Sequence, residues 1–185
     1  MKIVAGIYGG RKIKTISGDV TRPTSEKIRA AIFDALGQFF DGGDVLDLFS
    51  GSGAMAIEAV SRGYDQAICV DINRAATAVI RQNIQLLVAE EHFSIYTTSY
   101  QRALGKLSAM KFDLIIIDPP YKMKVLAEIL QDIYDRNLLN STGKIVLECS
   151  NKVYPDIDKK EFANYQVIFN RRYDTTQILM LQLID

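Results

Sequence analysis

Two short segments of this sequence end apolar runs with residues that could bind a small molecule. The first, "DLFSGSG", covers residues 47–53 and contains Asp47, Gly51 and Gly53. The glycines allow a tight turn and a close approach of a ligand to the backbone, directly before the N-terminus of a predicted helix. The continuation "GSGAMA" also fits the dinucleotide-binding pattern G-x-G-x-x-G/A, so the glycines alone do not identify the ligand.

Two acids near this loop narrow the choice of ligand. Asp47 would repel a pyrophosphate held at the loop but attract an ammonium group. Asp71 follows Gly53 by 18 residues, the position from which an acid binds both hydroxyls of a ribose. These acids imply a ligand with an amine, a ribose and no phosphate, and S-adenosylmethionine fits that description. The alternative is that the glycines only form a turn and that Asp71 caps the following helix.

The second segment is "IIIDPPYK", residues 115–122, in which a buried strand would stop abruptly. Pro119 and Pro120 cannot continue a sheet, and they leave carbonyl groups unpaired at the strand end. Beside a methyl donor, Asp118 and the Pro119 carbonyl would accept both hydrogens of an exocyclic amino group and direct its lone pair at the methyl group. Tyr121 would stack on a flipped-out or single-stranded base. The alternative is a simple turn, since Asp and Pro favour turns.

The elements that must position these residues alternate between strands and helices. Strands are predicted at Val45–Phe49, Gln66–Val70, Phe93–Thr97, Asp113–Ile117 and Lys144–Cys149, with helices at Ala54–Arg62, Arg74–Ala89, Tyr100–Ala109 and Val125–Leu139. This alternation predicts an α/β fold with a parallel, doubly wound sheet. Two further strands, Tyr165–Asn170 and Gln177–Ile184, are too close for a crossover helix and predict an antiparallel edge hairpin. Ligands bind at the carboxyl ends of such strands, so Asp47, Asp71 and Asp118 should share one rim.

The N-terminal part should add a small hairpin and a first helix to this sheet. The sequence "KIVAGIYGGRKIK" predicts two short strands that turn at Gly9-Gly10. Thr24 is predicted to cap a helix whose apolar face extends to Phe39 and Phe40. The length of 185 residues suits one domain, residues 1–185, with a hairpin extension over 1–20 and a catalytic core over 21–185.

The composition argues against several classes of protein. The start of the chain has no signal-peptide pattern and no apolar run approaches the roughly 20 residues of a membrane span, so we expect a cytoplasmic protein without a membrane partner. Cys69 and Cys149 lie in apolar runs and should be buried thiols. With one histidine in addition, no metal site is expected.

Four segments together resemble the bacterial 16S ribosomal RNA guanine-N2 methyltransferases. They are "IVAGIYGGRKI", "TRPTSEKIRAAIFDAL", "DLFSGSGAMAIEAVSRG" and "IIIDPPY", and the resemblance continues to the closing "RRYDTTQILML". It implies the class I methyltransferase (Rossmann-like) fold, with a mostly parallel seven-stranded sheet. It also implies that S-adenosylmethionine is converted to S-adenosylhomocysteine as the N2 amino group of a guanine is methylated. The implied partner is 16S RNA in a small-subunit assembly particle, and the implied protein is a monomer.

The resemblance also implies roles for particular residues. The catalytic loop would be Asp118, Pro119, Pro120 and Tyr121. The donor would be bound by Thr24, Asp47, Phe49, Gly51, Ser52, Gly53, Asp71, Ile72, Ser99 and Asp118. One departure is Ser99, which stands where such enzymes usually have an acid that holds the adenine amine. Either the affinity for the donor is lower, or backbone groups and Tyr100 hold the adenine.

Basic residues near the N-terminus provide the RNA-binding candidates. The whole chain has zero net charge, but Met1–Arg29 contains seven basic and two acidic residues, a local charge of +5. We expect Arg11, Lys12, Lys14 and Arg22 to contact RNA phosphates, together with Tyr121 at the base; the alternative is a solvated basic face. Arg171 and Arg172 could contact phosphates or simply protect an exposed sheet edge.

Three other functions are alternatives. A DNA amino-methyltransferase would share the catalytic loop, but it normally needs a target-recognition segment longer than any loop in this chain. A protein glutamine methyltransferase would have Asn in place of Asp118. A non-catalytic ribosome-assembly factor with the same fold would not need the acids and glycines of the predicted donor site.

Overall fold

The computed structural model describes residues 1–16, 26–120, 125–150, 162–173 and 176–184. Its helices are α1 (Glu26–Leu36), α2 (Ala54–Ser61), α3 (Arg74–Leu87), α4 (Tyr100–Lys106) and α5 (Leu126–Asp135), with a 3-10 turn at Glu90–His92. Its strands are β1 (Asp44–Asp47), β2 (Gln66–Asp71), β3 (Phe93–Thr97), β4 (Phe112–Ile117), β5 (Leu139–Ser150), β6 (Tyr165–Tyr173) and β7 (Thr176–Leu183). None of the helices in these ranges is long and apolar enough to cross a membrane.

The seven strands form one sheet in the order β3-β2-β1-β4-β5-β7-β6. The first five are parallel to their neighbours, whereas β7 is antiparallel to both β5 and β6. The predicted α/β fold with an antiparallel edge hairpin is therefore confirmed. The strand order reverses between β1 and β4, which is the place where open parallel sheets bind ligands.

Both faces of the sheet are covered by helices, which explains the nearly continuous apolar runs of the central strands. One core contains Val45 of β1 with side chains of α1, α2, α3 and the N-terminal segment. The other contains Leu46 of β1 with side chains of α4 and α5. Because side chains alternate along a strand, Asp47 lies on the same face as Val45, toward α1, α2 and α3.

The N-terminal part differs from the predicted hairpin and helix. The hairpin is reduced to one antiparallel bridge between Lys2 and Lys12, closed by a wide turn. The first helix ends at Leu36 instead of extending to Phe40 as predicted, because Gly37 adopts φ 130°, a backbone conformation that ends the helix. Phe39 is consequently 66% exposed. Thr24, the predicted cap, lies outside the described residues.

A buried ionic cluster fixes the N-terminal segment on α2. The Glu58 carboxylate accepts hydrogen bonds from the backbone N–H groups of Val4 at 2.8 Å and Ala5 at 3.0 Å. It also pairs with Arg29 of α1 at 3.1 Å and with Arg62 at 2.8 Å, and all three side chains are buried. Removing one member would leave a buried charge without its partner, at a cost of about 3–5 kcal/mol. The N-terminal segment is thereby held to the helix that follows the glycine loop.

Candidate active site

A row of polar side chains lies at the carboxyl ends of the central strands, all on the face toward α1, α2 and α3. The strand alternation places Asp71, Asp47 and Asp118 there, at the ends of β2, β1 and β4. Glu148 of β5 joins them, because it is two residues after Val146, which belongs to the core on that face. Glu148 was not recognised from the sequence, although an acid near the end of the apolar run "KIVLEC" is a signal that could have identified it.

The loop between β1 and α2 has the backbone conformation that its glycines predict. Gly51 and Gly53 have φ values of 53° and 79°. A Cβ atom at Gly51 would meet no atom within 4 Å, whereas one at Gly53 would lie 3.2 Å from the side chain of Ile80. Gly51 thus borders open space above the loop, and Gly53 is required for packing against α3. Ser50 reinforces the turn, because its hydroxyl donates to the Asp47 carbonyl at 2.7 Å and accepts from Val70 N at 2.9 Å.

Asp71 connects this loop to the end of β2. Its carboxylate accepts hydrogen bonds from the backbone N–H of Gly51 at 2.9 Å and of Asn73 at 2.8 Å. The N-cap of α3 is Asn73, whose side chain accepts from Ala75 N at 2.9 Å. Asp71 is therefore not the capping residue of that helix. Each of its oxygens uses one acceptor site for the backbone, which leaves acceptor capacity for two ligand hydroxyls.

Asp47 is the most deeply buried acid of the rim, with 2% of its surface exposed. Burial and the nearby Asp71 carboxylate raise its pKa to about 7, although hydrogen bonds from the backbone N–H groups of Ala56 and Phe49 oppose that rise. Its Oδ2 atom has no hydrogen-bond partner among the residues that the structure describes. A buried acceptor of this kind suits a cationic group of a ligand. The ammonium of S-adenosylmethionine fits this requirement.

Asp118 follows β4 directly, next to the end of β1, and is partly buried. Burial, Glu148 and Asp47, in that order, raise its pKa well above the usual value of an aspartate. Pro119 is buried and Pro120 is exposed. Tyr121 lies outside the described residues, so its predicted stacking role stays a prediction. Because three carboxylates share this region, it favours a ligand that brings positive charge or several hydrogen-bond donors.

The adenine side of the predicted donor site contains apolar and aromatic groups. Ile72, directly after Asp71, is 74% exposed and offers an uncovered apolar side chain beside the loop. The rings of Phe49 and Tyr100 lie 5.6 Å apart. The Tyr100 hydroxyl donates a hydrogen bond to Glu128 of α5 at 3.1 Å, away from the glycine loop. Ser99 serves as N-cap of α4, where it accepts from Arg102 N at 3.5 Å.

The predicted RNA-binding residues differ in their surroundings. Arg11 donates to the carbonyl groups of Leu86 and Leu87 at the C-terminus of α3, the latter at 3.3 Å, and thus stabilises that helix end. Lys14 Nζ donates to Gln82 at 2.9 Å. Lys12 is exposed and takes part in none of these three hydrogen bonds. Arg22 lies outside the described ranges.

Asn83 of α3 was not recognised from the sequence, but it links two parts of the site. Its fully buried side chain accepts from Lys14 N at 2.7 Å and donates to Lys14 O at 3.0 Å. The same amide donates to Ser52 O in the glycine loop at 3.0 Å. One side chain therefore positions both the basic N-terminal segment and the predicted donor loop. An isolated Asn in a helix gives no such signal, because its partners are distant in sequence.

Several known proteins are similar to this chain. The family described as "Conserved hypothetical protein 95" matches residues 1–182. The Bacillus subtilis protein "Putative rRNA methyltransferase YlbH" is 37% identical over 155 residues, which are 83% of this chain and 84% of that protein. The Haemophilus influenzae "Ribosomal RNA small subunit methyltransferase D" is 24% identical over 150 residues, which are 80% of this chain and 78% of that protein.

The fold is also found in a solved structure, "Putative methyltransferase yhhF from Escherichia coli". It superposes with a TM-score of 0.82 at 24% identity, over 99% of this chain and 97% of the other. This likeness concerns the fold, which is that of the class I methyltransferases. Relatives of this chain include ribosomal RNA small subunit methyltransferase D. The chain therefore belongs to the methyltransferase family described as conserved hypothetical protein 95.

Proposed function

We propose that this protein transfers the methyl group of S-adenosylmethionine to the exocyclic N2 amino group of a guanine in 16S ribosomal RNA. S-adenosylhomocysteine would be the other product. The observation that carries the proposal is the position of Asp47 and Asp118, which end the neighbouring strands β1 and β4 on one face of the sheet. One acid would pair with the cationic donor and the other with the amino group. The relationship to small-subunit RNA methyltransferases supports RNA as the substrate.

The donor supplies a methyl group on a positively charged sulfur. Asp47 would pair with its ammonium group, and Asp71 would accept its ribose hydroxyls while holding Gly51 in place. Ile72 and Phe49 would cover the adenine. Backbone groups at Ser99 would take the place of the acid that is usual there. These contacts orient the methyl group toward the end of β4, because the loop and that strand end border the same rim.

Asp118 and the Pro119 carbonyl would accept the two hydrogens of the guanine amino group. An amine conjugated to a ring is planar, so gripping both hydrogens favours the pyramidal form whose lone pair points at the methyl group. The N–C bond then forms as the C–S bond breaks, with the electron pair left on the sulfur, and the alkylated nitrogen readily loses a proton to water. No strong base is needed. Tyr121 is proposed as the stacking face for the base, on sequence grounds.

The RNA would dock on the basic N-terminal segment. Lys12, Arg11 and Lys14 lie on the same side of the sheet as the glycine loop, since Asn83 joins Lys14 to Ser52. We propose that the acceptor is an assembly particle of the small subunit and that the protein acts as a monomer in the cytoplasm. A phosphate contact at this segment, distant from the target base, would then orient the particle while the base enters the site at the rim.

The test is methyl transfer to small ribosomal subunits from a bacterial strain that lacks a gene of this family. The protein and methyl-labelled S-adenosylmethionine are incubated with these subunits and, in parallel, with naked 16S RNA. Mass spectrometry of the digested nucleosides should show the label in N2-methylguanosine. Label in a methylated adenine or cytosine would contradict the guanine-N2 assignment. No label in either RNA would contradict the function as a whole.

A further inference from the structure

We propose that Glu148 accepts the ring N1–H of the target guanine and thereby selects guanine over the other bases that carry an exocyclic amine. This inference rests on the function proposed above and adds a specificity-determining residue to it. Selection of guanine by Glu148 can fail while methyl transfer itself holds, so the two failures are distinguishable.

The position of Glu148 follows from the pairing of β4 with β5. Ile117 pairs with Leu147 in this parallel ladder, so the next residues, Asp118 and Glu148, lie side by side at the rim. Both side chains are on the face that contains Ile116 and Val146. Glu148 is 7% exposed. The two carboxylates influence each other, since Glu148 contributes to the raised pKa of Asp118.

Glu148 lies close to two other acids of the rim. It is beside Asp118, in the region that also contains the buried Asp47, whose Oδ2 has no partner in the described part of the chain. A ligand edge with several N–H donors is complementary to such a group of carboxylate acceptors.

The hydrogen-bonding groups of the bases determine which ligand fits. The amino group of guanine is adjacent to a ring N–H, so this edge offers three hydrogens to acceptors. The amino groups of adenine and cytosine are each adjacent to a ring nitrogen with a lone pair. Ionised carboxylates only accept hydrogen bonds. Asp118 and Glu148 together therefore match guanine, whereas adenine or cytosine would place a lone pair against Glu148. The N1–H proton stays on the base throughout.

The matched probe is 2-aminopurine, which keeps the 2-amino group but has an acceptor at N1. It replaces the target guanine in the acceptor, RNA or particle, that the wild-type protein methylates in the experiment above. Wild type should methylate the guanine acceptor about tenfold or more faster, because a site built to bind an N–H rejects the analogue that lacks it. Methylation of both acceptors within about threefold would overturn the proposal without any variant being needed.

The variant Glu148→Gln tests whether the preference for guanine depends on Glu148 or on other differences between guanine and 2-aminopurine. Glutamine can donate to the N1 lone pair of 2-aminopurine, so the guanine preference should shrink by about threefold or more, with slower transfer to guanine. The absence of O6 in 2-aminopurine affects wild type and variant equally. An unchanged preference would overturn the proposal. Glu91→Gln, at an exposed residue before β3, removes the same charge and should leave the preference as in wild type.

Donor affinity shows that the variant is folded. Calorimetric titration of Glu148→Gln with S-adenosylmethionine should give a dissociation constant within about twofold of wild type, because Asp47 and Asp71 are intact. If Glu148→Gln fails to bind the donor, the wild-type comparison of the two acceptors decides the question. If wild type methylates no acceptor at all, the proposed function fails first, and it fails in a different measurement.

Discussion

The carboxylate of Asp71 accepts the backbone N–H of Gly51 at 2.9 Å, across the ends of two neighbouring strands. This bond holds the glycine loop in the conformation in which Gly51 faces open space. The same carboxylate is the predicted ribose acceptor. Binding of the donor and the shape of the loop are thus connected through one side chain, so Asp71 should matter more for ligand affinity than for folding.

Replacing Asp71 with Ala should weaken S-adenosylmethionine binding by about tenfold or more, because two ribose hydroxyls and the loop lose their acceptor. Asp71→Asn should be intermediate, since one acceptor oxygen remains. Calorimetric titration provides the affinities. The control is Asn73→Ala, which removes the cap of α3 at a cost of about 1 kcal/mol of stability but should leave donor affinity nearly unchanged. Equal effects of Asp71→Ala and Asn73→Ala would mean that Asp71 only supports α3.

The two loop glycines should respond differently to alanine. Both have positive φ, so each substitution should cost about 1 kcal/mol of stability. Only Gly53→Ala also crowds Ile80, and it should lower the melting temperature further. Gly51→Ala should fold but bind the donor weakly, because its methyl group enters the space proposed for the ligand. Thermal unfolding and donor titration of both variants provide the test. If Gly51→Ala binds the donor like wild type, that space is not the donor site.

The strands and helices could be predicted from the sequence because the patterns that indicate them lie within short stretches of the chain. Apolar runs of four to six residues separated by amphipathic segments indicate parallel strands and helices, and the structure confirms them. The end of α1 was wrong because an apolar face continued past Gly37, while the backbone at Gly37 ended the helix. Phe40 still contacts the core region, since its ring lies 4.4 Å from that of Tyr64.

Contacts between distant segments could not be predicted from the sequence in this way. Glu58 reads as an ordinary polar residue within "AIEAVSR", yet it is fully buried with Arg29 and Arg62. Asn83 is equally inconspicuous in α3. Their roles depend on partners more than 25 residues away, apart from Arg62, so no local pattern contains them. Glu148 was within reach of sequence reasoning, because strand alternation places it on the same face as the other acids.

Asp118→Ala should abolish methyl transfer while donor affinity stays within about twofold of wild type. A charge-assisted hydrogen bond contributes about 1.5–3 kcal/mol, and loss of lone-pair alignment adds to that, so we expect a rate loss of at least roughly a hundredfold. Single-turnover transfer to small ribosomal subunits measures the rate, and calorimetry measures the donor. Turnover above about a tenth of the wild-type value would show that Asp118 has a different role.

Donor affinity should depend on pH through Asp47. The pKa of this acid in the free protein is about 7, so it is neutral below that pH and cannot pair with the ammonium group. The dissociation constant should therefore rise by about tenfold between pH 7.5 and pH 5.5, a range in which the donor ammonium stays largely protonated. Asp47→Asn should bind weakly at both pH values and show a flatter dependence. A wild-type affinity that does not change with pH would exclude this pairing.

Ionisation of Asp47, which favours donor binding, should lower the stability of the folded protein. The folded-state pKa of this acid is raised, so the folded protein holds this proton more tightly and loses stability as pH rises from about 4 to 7. Without donor, Asp47→Asn should melt a few degrees higher than wild type at pH 8, whereas the two should be similar at pH 4. Scanning calorimetry at both pH values tests this. A variant that melts lower at pH 8 would show that Asp47 contributes more to folding than its burial costs.

RNA docking at the N-terminal segment is best tested at Lys12, because none of the contacts of this segment with α3 described above involves its side chain. Arg11 and Lys14 have contacts with α3, so removing them would disturb the fold as well as the charge. If Lys12 contacts a phosphate, Lys12→Ala should weaken binding to small subunits and reduce the salt slope by about 0.7–0.9, with donor affinity unchanged. Lys106→Ala, on an exposed residue of α4 on the opposite side of the sheet, removes the same charge and should keep the wild-type slope. Equal slopes for all three proteins would exclude a phosphate contact at Lys12 and direct attention to Arg171, whose guanidinium lies 5.5 Å from the ring of Phe169 on the edge strand.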